Sequence, residues 1–243
     1  SLVILNGAGI SAESGLGTFR DTDGLWAKFD WQALATPEAF AAEPFKVHEF
    51  YNARRANLAD ASPNAAHAAL ARLERDWLAR GGDFLLVTQN VDDLHEQAGS
   101  ERLIHMHGEL QKMRCEACHT VTTAFGEIGT DTPCPRCRQP GFLRPHVVWF
   151  GEIPLEMDLI FQALETCTHF VAIGTSGTVT SVAGVHLNLN RYMRDKVDGM
   201  WMTSVEAHAA CQRLASQDRA GRAREGCIGH DRADLVLAGC AIY

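Results

Sequence analysis

The stretch that decides the fold is LVILNGAGISAESGLGTFR, residues 2 to 20. It opens with the apolar run Leu2 to Leu5, which is typical of a buried strand, and continues into a glycine-rich turn. Residues Gly7 to Ala12 fit the pattern G-x-G-x-x-G/A, whose glycines let backbone amides approach the pyrophosphate of a dinucleotide. Taken alone, this hexapeptide fits a tight turn without a ligand equally well.

Two further apolar runs, Phe84 to Val87 and Phe170 to Ile173, predict buried strands that each end in a polar or glycine-rich turn. Apolar residues recur at helical spacing in Leu70 to Trp77 and in Met157 to Cys167. Strands alternating with helices predict an α/β fold with a mostly parallel, Rossmann-like sheet. The turns would then meet at the carboxyl edge of the sheet, where such folds bind ligands.

The charge balance excludes one class of partner. The chain has 22 basic and 30 acidic residues, a net charge of −8, so it offers no positive surface for nucleic acid. No apolar run approaches the roughly 20 residues of a membrane span, and the start of the sequence does not resemble a signal peptide. We therefore expect a cytoplasmic protein that binds neither nucleic acid nor membrane. The sequence does not specify an oligomeric state, and a monomer is the working expectation.

Four of the eight cysteines form two C-x-x-C pairs separated by 15 residues, Cys115/Cys118 and Cys134/Cys137. This spacing predicts a closed four-thiolate site that holds one structural Zn²⁺ ion. A redox C-x-x-C motif is the alternative, but it does not explain why there are two pairs at this separation.

Two stretches interrupt the alternation of strands and helices. Residues 21–60 are predicted to be a helical insertion and residues 108–145 a zinc-binding insertion, and the two would form a smaller lobe. Residues 1–20, 61–107 and 146–243 would form the Rossmann-like NAD-binding domain, with the part from about residue 179 left open.

Several motifs, in order and at similar spacing, resemble those of the sirtuin family of NAD-dependent protein deacylases. They are Gly7 to Arg20, Thr88 to Asp92, His107-Gly108, both cysteine pairs, Arg144 to Glu152 and Gly174 to Gly177. The resemblance stops near residue 178, because the chain lacks the family's V-x-P-A-A element and its later N-x-E-like element that holds the adenosine ribose. It leaves adenosine binding by the last part of the chain unassigned.

The resemblance implies transfer of an acyl group from lysine to ADP-ribose, with release of nicotinamide. His107 would act as the base on the NAD ribose, and Asn90 would help to position the attacked ribose carbon. The neighbouring His105 is expected to pack or to be solvated. The residues implied in binding NAD are Gly7, Ala8, Gly9, Ser11, Phe19, Arg20, Gln89, Asn90, Val91, Asp92, Gly174, Thr175 and Ser176.

Tyr51 and Arg54 would share one face of a helix, where a phenol and a guanidinium could grip one carboxylate. A solvated helix face is the alternative for so short a pattern. The pair resembles the one found at this place in the sirtuin branch that removes succinyl, malonyl and glutaryl groups. This implies a desuccinylase and demalonylase with deacetylation as a side activity. The residues implied in binding acyl-lysine proteins are Tyr51, Arg54, Val147, Phe150, Gly151 and Glu152.

Two other functions use the same resemblance. A catalytically impaired sirtuin-like protein could bind acyl-lysine without turnover, because the end of the chain departs from the family. Transfer of a single ADP-ribose to protein uses the same NAD chemistry, and labelled ADP-ribose in a protein acceptor would identify it.

Overall fold

The computed structural model describes residues 1–17, 30–175, 186–189 and 204–225. A parallel sheet of four strands, in the order β3-β2-β1-β7, lies at its centre. The strands are β1 (Leu2–Asn6), β2 (Phe84–Thr88), β3 (Leu103–His105) and β7 (His169–Ile173). Each of the three predicted strands is confirmed and is one residue longer than predicted, and β3 is an addition to them.

Helices cover both faces of this sheet. Within the described residues the α-helices are α1 (Pro37–Ala42), α2 (Pro44–Ala59), α3 (Ala65–Ala79), α4 (Leu94–Gln97), α5 (Met157–Thr166), α6 (Ser204–Ala215) and α7 (Arg219–Arg224). Residues Ala8–Ser14 and Trp31–Ala33 form 3₁₀ helices. In the described part of the chain, no helix is both long and apolar enough to cross a membrane.

The alternation of side chains along β1 explains why the sheet is buried on both faces. Leu2 and Ile4 pack with Leu70 of α3 on one face. Val3 packs with Ile160 of α5 on the other face. A parallel sheet covered in this way needs apolar residues at consecutive positions, which is the pattern that the sequence shows.

A second, antiparallel sheet carries the cysteine pairs. Its order is β5-β4-β6, formed by β4 (Gly108–Cys115), β5 (Val121–Thr123) and β6 (Leu143–Val147). Val47 of α2 shares a buried apolar cluster with Leu110 of β4 and Val147 of β6. The helical and zinc-binding insertions therefore share a core, and β6 runs across the domain boundary predicted at residue 145. The predicted fold class, a Rossmann-like domain with a smaller zinc-ribbon and helical lobe, is confirmed.

Candidate active site and zinc site

The loops that follow β1, β2 and β7 lie side by side at the carboxyl edge of the parallel sheet. The amide of Gln89 donates to the Asn6 carbonyl at 3.0 Å, and its side chain donates to the Thr175 hydroxyl at 3.0 Å. The Gly9 amide donates to the Gly174 carbonyl at 2.8 Å. The structure thus brings residues of three separate predicted turns to the edge where α/β sheets bind ligands.

Glycine is required at two positions because these loops touch. A Cβ atom at Gly9 would lie 2.7 Å from the carbonyl oxygen of Gly174, and one at Gly174 would lie 2.5 Å from the nitrogen of Ile10. Gly174 also has a φ of +59°, in the left-handed region that favours glycine. Contact between the loops therefore explains these glycines in addition to any approach of a pyrophosphate.

Three predicted NAD-binding residues form a buried polar group, which we call the Ser11 cluster: Ser11, Asn90 and Asp92. The Asn90 side-chain amide donates to Ser11 Oγ at 3.0 Å, and the Ser11 hydroxyl donates to Asp92 Oδ2 at 3.1 Å. Burial raises the pKa of Asp92, against the opposing effect of hydrogen bonds from the Leu94 amide and Ser11. A primary amide and a carboxylate offer the donors and acceptors that a carboxamide such as nicotinamide requires. The donors and acceptors of the Ser11 cluster therefore fit the nicotinamide end of NAD.

His107 has the tautomer that a general base needs. Its Nδ1 lies 3.0 Å from the carbonyl oxygen of Gln89. Since a carbonyl only accepts, Nδ1 carries the proton of the neutral ring, and Nε2 is the basic nitrogen. The half-buried ring follows β3 at the same sheet edge as Asn90, the other predicted catalytic residue.

His105 differs from His107 because of its partners. Its Nδ1 lies 3.1 Å from the Asn90 carbonyl and its Nε2 lies 2.7 Å from the Glu96 carboxylate, so acceptors face both nitrogens. Burial alone would lower the pKa of His105, but hydrogen bonding to Glu96 and the charge of that residue outweigh burial and raise the pKa. Acceptors at both nitrogens favour the protonated ring, and this pairing gives a physical reason for the predicted non-catalytic role of His105.

The four predicted zinc ligands converge at the end of β4. The Sγ atoms of Cys115 and Cys137 are 3.7 Å apart, as are those of Cys118 and Cys134. All four Sγ atoms lie within 4.8 Å of one another. A tetrahedral site with Zn–S bonds of about 2.3 Å requires sulfur atoms about 3.8 Å apart. The four thiols therefore fit one Zn²⁺ ion, whose closed coordination leaves no position for catalysis.

Arg144 and Glu152 fix the two ends of the predicted peptide-binding stretch. Arg144 is buried and donates to both carboxylate oxygens of Glu152, at 2.7 and 2.9 Å. The same carboxylate accepts from the Trp149 amide at 2.8 Å, and the guanidinium stacks on the Trp149 ring, 3.4 Å from its centroid. Glu152, predicted to bind substrate, thus has a structural role in closing this loop.

The other predicted substrate-binding residues of the stretch lie at the end of β6 and in the loop that follows it. Val147 ends β6, an edge strand in the described sheet, and its side chain is buried. Phe150 is partly exposed beside Trp31, with ring centroids 4.4 Å apart, and Gly151 is exposed with a φ of +91°. An extended peptide could therefore pair along this edge.

The Sir2 family profile matches residues 7–181, which is more than half of the chain. The chain belongs to the Sir2 family. The profile match ends at residue 181, near the predicted end of the resemblance, whereas one relative described next aligns beyond it, over 99% of the chain.

Two sirtuin relatives are each named NAD-dependent protein deacylase. The protein of Caulobacter vibrioides is 59% identical over 181 residues, which cover 74% of this chain and 76% of the relative. The protein of Shewanella oneidensis is 46% identical over 243 residues, which cover 99% of this chain and 96% of the relative. A crystal structure of a Sir2 homologue in complex with NAD is also similar, with a TM-score of 0.64, 32% identity and coverage of 98% of this chain and 90% of the other.

The predicted acyl-binding pair of this sirtuin lies on α2. The Tyr51 side chain is buried, and its Oη accepts a hydrogen bond from Trp149 Nε1 at 2.9 Å. The Arg54 guanidinium lies 6.0 Å from the centroid of the Tyr51 ring. Burial lowers the pKa of Arg54, while interactions with Tyr51 and Asp92 raise it. A solvated helix face does not describe this pair, because the phenol is packed inside the small lobe.

The remaining predicted residues of the sirtuin site have simpler positions. Gly7 and Ala8 lie at the start of the 3₁₀ helix after β1. Val91 is buried, and its side chain joins the apolar cluster of the small lobe. Three predicted NAD-binding residues lie outside the described residues, namely Phe19, Arg20 and Ser176.

Sequence reasoning overlooked two buried histidines beside the Ser11 cluster, His67 and His95. Both rings are fully buried, with centroids 4.8 Å apart. His67 follows the Ser62-Pro63 start signal at the beginning of α3, and His95 follows the Asp92 turn. Their sequence signal is a polar residue on the inner face of a helix start, which is weak among 11 histidines.

Proposed function

We propose that this chain is an NAD-dependent protein-lysine deacylase that prefers acyl groups with a terminal carboxylate, such as succinyl and malonyl groups. Deacetylation is a second, slower activity, and the cytoplasm is the proposed compartment. Membership of the Sir2 family and the names of its relatives support the deacylase activity. The placement of Tyr51 and Arg54 together on α2 is the observation that carries the acidic-acyl preference.

The residues of the parallel sheet edge would handle NAD and the proton. NAD supplies the ribose carbon that receives the acyl oxygen as nicotinamide leaves. The Ser11 cluster would hold the carboxamide of the nicotinamide end through Asn90 and Asp92. His107, with its Nδ1 proton committed to the Gln89 carbonyl, would accept a proton from the ribose at Nε2. One water molecule is consumed as the amide bond breaks, and the free lysine amine and an acyl-ADP-ribose are the products.

The phenol of Tyr51 is oriented to donate. Its oxygen already accepts from Trp149, so its own proton is available for a carboxylate oxygen. Arg54 stays charged despite its lowered pKa, since a guanidinium keeps its proton in proteins. A carboxylate that meets a partly desolvated guanidinium and a phenol forms charge-assisted hydrogen bonds, which are stronger than those an acetyl group can form.

The purified chain should be tested with NAD and matched succinyl-, malonyl- and acetyl-lysine peptides, with nicotinamide release as the readout. We expect a higher kcat/KM for the succinyl and malonyl peptides. Arg54→Met should lower succinyl kcat/KM by about 10- to 100-fold, as loss of a hydrogen bond to a charged group predicts, and should change deacetylation little. Arg55→Met is the matched control, because Arg55 follows on the same helix and bonds to Asn52.

The outcomes separate the competing functions. Equal losses of desuccinylation and deacetylation in Arg54→Met would contradict the acidic-acyl preference. No nicotinamide release from any peptide, with the protein folded and zinc bound, would instead identify a catalytically impaired acyl-lysine binding protein. Labelled ADP-ribose that appears in a protein acceptor would indicate ADP-ribosyl transfer.

A further inference from the structure

Asn52 joins the helix that carries the acyl-binding pair to the zinc-binding insertion. It lies on α2, directly after Tyr51 and two residues before Arg54. Its side-chain amide donates to the Ile128 carbonyl at 3.0 Å, and its Oδ1 accepts from the Ile128 amide at 3.0 Å. One side chain therefore pairs with both backbone groups of a residue that lies 76 positions further along the chain.

The residue that Asn52 holds is packed against the predicted zinc ligands. Ile128 is 3% exposed, and its side chain belongs to the buried cluster that contains Cys115 and Cys134. The other two cysteines of the zinc site pack against the same cluster. Binding of a metal ion orders the ligands and the residues packed around them. A bound Zn²⁺ ion would thus fix Ile128, which is the partner of Asn52.

The positions of three residues around α2 distinguish two sides of the helix. An α-helix turns about 100° per residue, so Tyr51 and Arg54 lie about 60° apart around the axis. Asn52 lies about 100° from Tyr51, on the side that faces the zinc-binding insertion. A rotation of α2 about its axis would therefore break the bonds of Asn52 and displace both members of the pair. Misplacing a binding group by about 1 Å can cost up to about 100-fold in rate.

The apolar contacts between α2 and the insertion do not set this rotation by themselves. Val47 of α2 shares its buried cluster with Leu110 and Val147. Burial of apolar surface is non-directional, so it favours close packing without selecting one angle of the helix. Hydrogen bonds weaken steeply when they bend. The two bonds between Asn52 and Ile128 therefore add a directional restraint that the apolar cluster lacks.

We propose that Asn52 is a positioning residue for the acyl-binding pair, and that it acts by holding α2 against Ile128. This inference rests on the proposed function insofar as Tyr51 and Arg54 bind the acyl carboxylate. It gives the zinc-binding insertion a part in acyl specificity, because the cysteine cluster, Ile128 and Asn52 are in continuous contact up to the helix of the pair. Loss of Asn52 should lower the preference for acidic acyl groups even when zinc is kept.

Two substitutions of Asn52 test this role. Asn52→Leu has a side chain of similar size and removes both bonds to Ile128. Asn52→Asp keeps an oxygen that accepts from the Ile128 amide, but its second oxygen faces the Ile128 carbonyl and cannot donate when ionised. The second variant keeps the test decisive if Asn52→Leu does not fold.

Two matched controls change the neighbours of this contact. Arg55→Met removes a side chain on the same helix that also donates to Asn52, and it leaves both bonds to Ile128 in place. Thr132→Val removes a hydroxyl of the insertion that accepts from the Gly129 amide at 2.9 Å, next to Ile128, and it too leaves the bonds of Asn52 in place.

The readout is the affinity of the zinc-bound chain for succinyl- and acetyl-lysine peptides of one sequence, measured by fluorescence anisotropy without NAD. The kcat/KM for both peptides and the zinc content are measured beside it. We expect Asn52→Leu and Asn52→Asp to keep their zinc and to lower the succinyl-to-acetyl ratio of affinities and of kcat/KM by about 5-fold or more, the effect of one weakened hydrogen bond. Both controls should stay within about 2-fold of wild type. An unchanged ratio in the folded Asn52 variants, or an equal fall in Thr132→Val, would overturn the proposal.

A double-mutant cycle separates positioning from a general loss of stability. If Asn52 acts through Arg54, adding Asn52→Leu to Arg54→Met should change the succinyl-to-acetyl ratio by less than about 2-fold, because residues in one interaction are not additive. A full additional fall in the double variant would assign Asn52 a structural role instead.

The same measurements distinguish failure of this proposal from failure of the proposed function. A wild type that binds and deacylates the two peptides equally would remove the acidic-acyl preference, and the positioning role with it. A wild type that prefers the succinyl peptide, beside an Asn52→Leu variant with the same preference, would overturn the positioning role alone. A wild type that binds the succinyl peptide preferentially without turnover would remove the deacylase activity and leave the positioning role to be decided by the anisotropy ratios, which require no catalysis.

Discussion

Replacing Trp149 by phenylalanine tests how Tyr51 of the proposed acyl-binding pair is held. The substitution removes the indole N–H that donates to Tyr51 Oη at 2.9 Å. It keeps an aromatic face for the guanidinium of Arg144, which stacks 3.4 Å from the ring centroid. The substitution thus acts mainly on the phenol and leaves most of the loop packing in place.

The magnitude follows from burial. Trp149 and Tyr51 are 2% and 1% exposed, so no water replaces the lost donor. A neutral hydrogen bond contributes about 0.5–1.5 kcal/mol net, and a buried acceptor left without its partner costs about 1–3 kcal/mol. The phenol oxygen should therefore reorient, and its donation to an acyl carboxylate should weaken. We expect succinyl kcat/KM to fall by about 5- to 10-fold, while acetyl kcat/KM falls by less than about 2-fold.

The assay is the ratio of the succinyl to the acetyl kcat/KM, which cancels general losses of active protein. Trp77→Phe is the matched control: its indole Nε1 is buried on α3 without a hydrogen-bond partner in the described part of the chain, so the same chemical change loses no bond. An unchanged ratio in Trp149→Phe, or an equal fall in Trp77→Phe, would refute the role assigned to the indole.

Two other perturbations have outcomes set by the structure. Removal of zinc by a chelator, or by Cys134→Ser, should unfold the sheet of β4, β5 and β6 and abolish activity, because binding of a structural zinc ion contributes roughly 10 kcal/mol or more to folding. Circular dichroism measures the unfolding, and a zinc assay measures the release of the ion. Full activity without zinc would contradict this prediction. Burial and the neighbouring His67 lower the pKa of His95 to about 4. The unfolded chain therefore binds this proton first, so stability is complete above about pH 6.5 and should fall by about 2 kcal/mol by pH 5. Urea unfolding should show a shallower fall in His95→Gln, and an equal fall would exclude His95 as the cause.

The parts of the fold that could be predicted are those with a clear local pattern in the sequence. The apolar runs of β1, β2 and β7 are buried on both faces, so consecutive apolar residues mark them clearly. The strand β3 has only three residues, and all three pair with residues of β2. Its strand conformation depends on that pairing, which no local pattern records.

The residues of the candidate site likewise differ in how far the sequence could predict them. The spacing of the cysteines was enough to predict that their four sulfur atoms come together, and these atoms lie within 4.8 Å of one another. Two C-x-x-C pairs at this separation are typical of a zinc site. Glu152 shows the limit of motif reading. Its position in the predicted peptide-binding stretch is clear from the sequence, but its pairing with Arg144, eight residues away, is a property of the folded loop.

The histidines at the sheet edge show why residue type does not assign a chemical role. His107 faces one carbonyl, which holds its proton on Nδ1 and leaves Nε2 basic. His105 faces a carbonyl and a carboxylate, which favour its protonated form. His67 faces an amide N–H, which makes Nε2 a donor toward Ser11. The group opposite each ring nitrogen thus decides where each of these histidines carries its protons. A substitution that changes such a partner, such as Glu96 of His105, should therefore change the chemistry of a histidine it leaves in place.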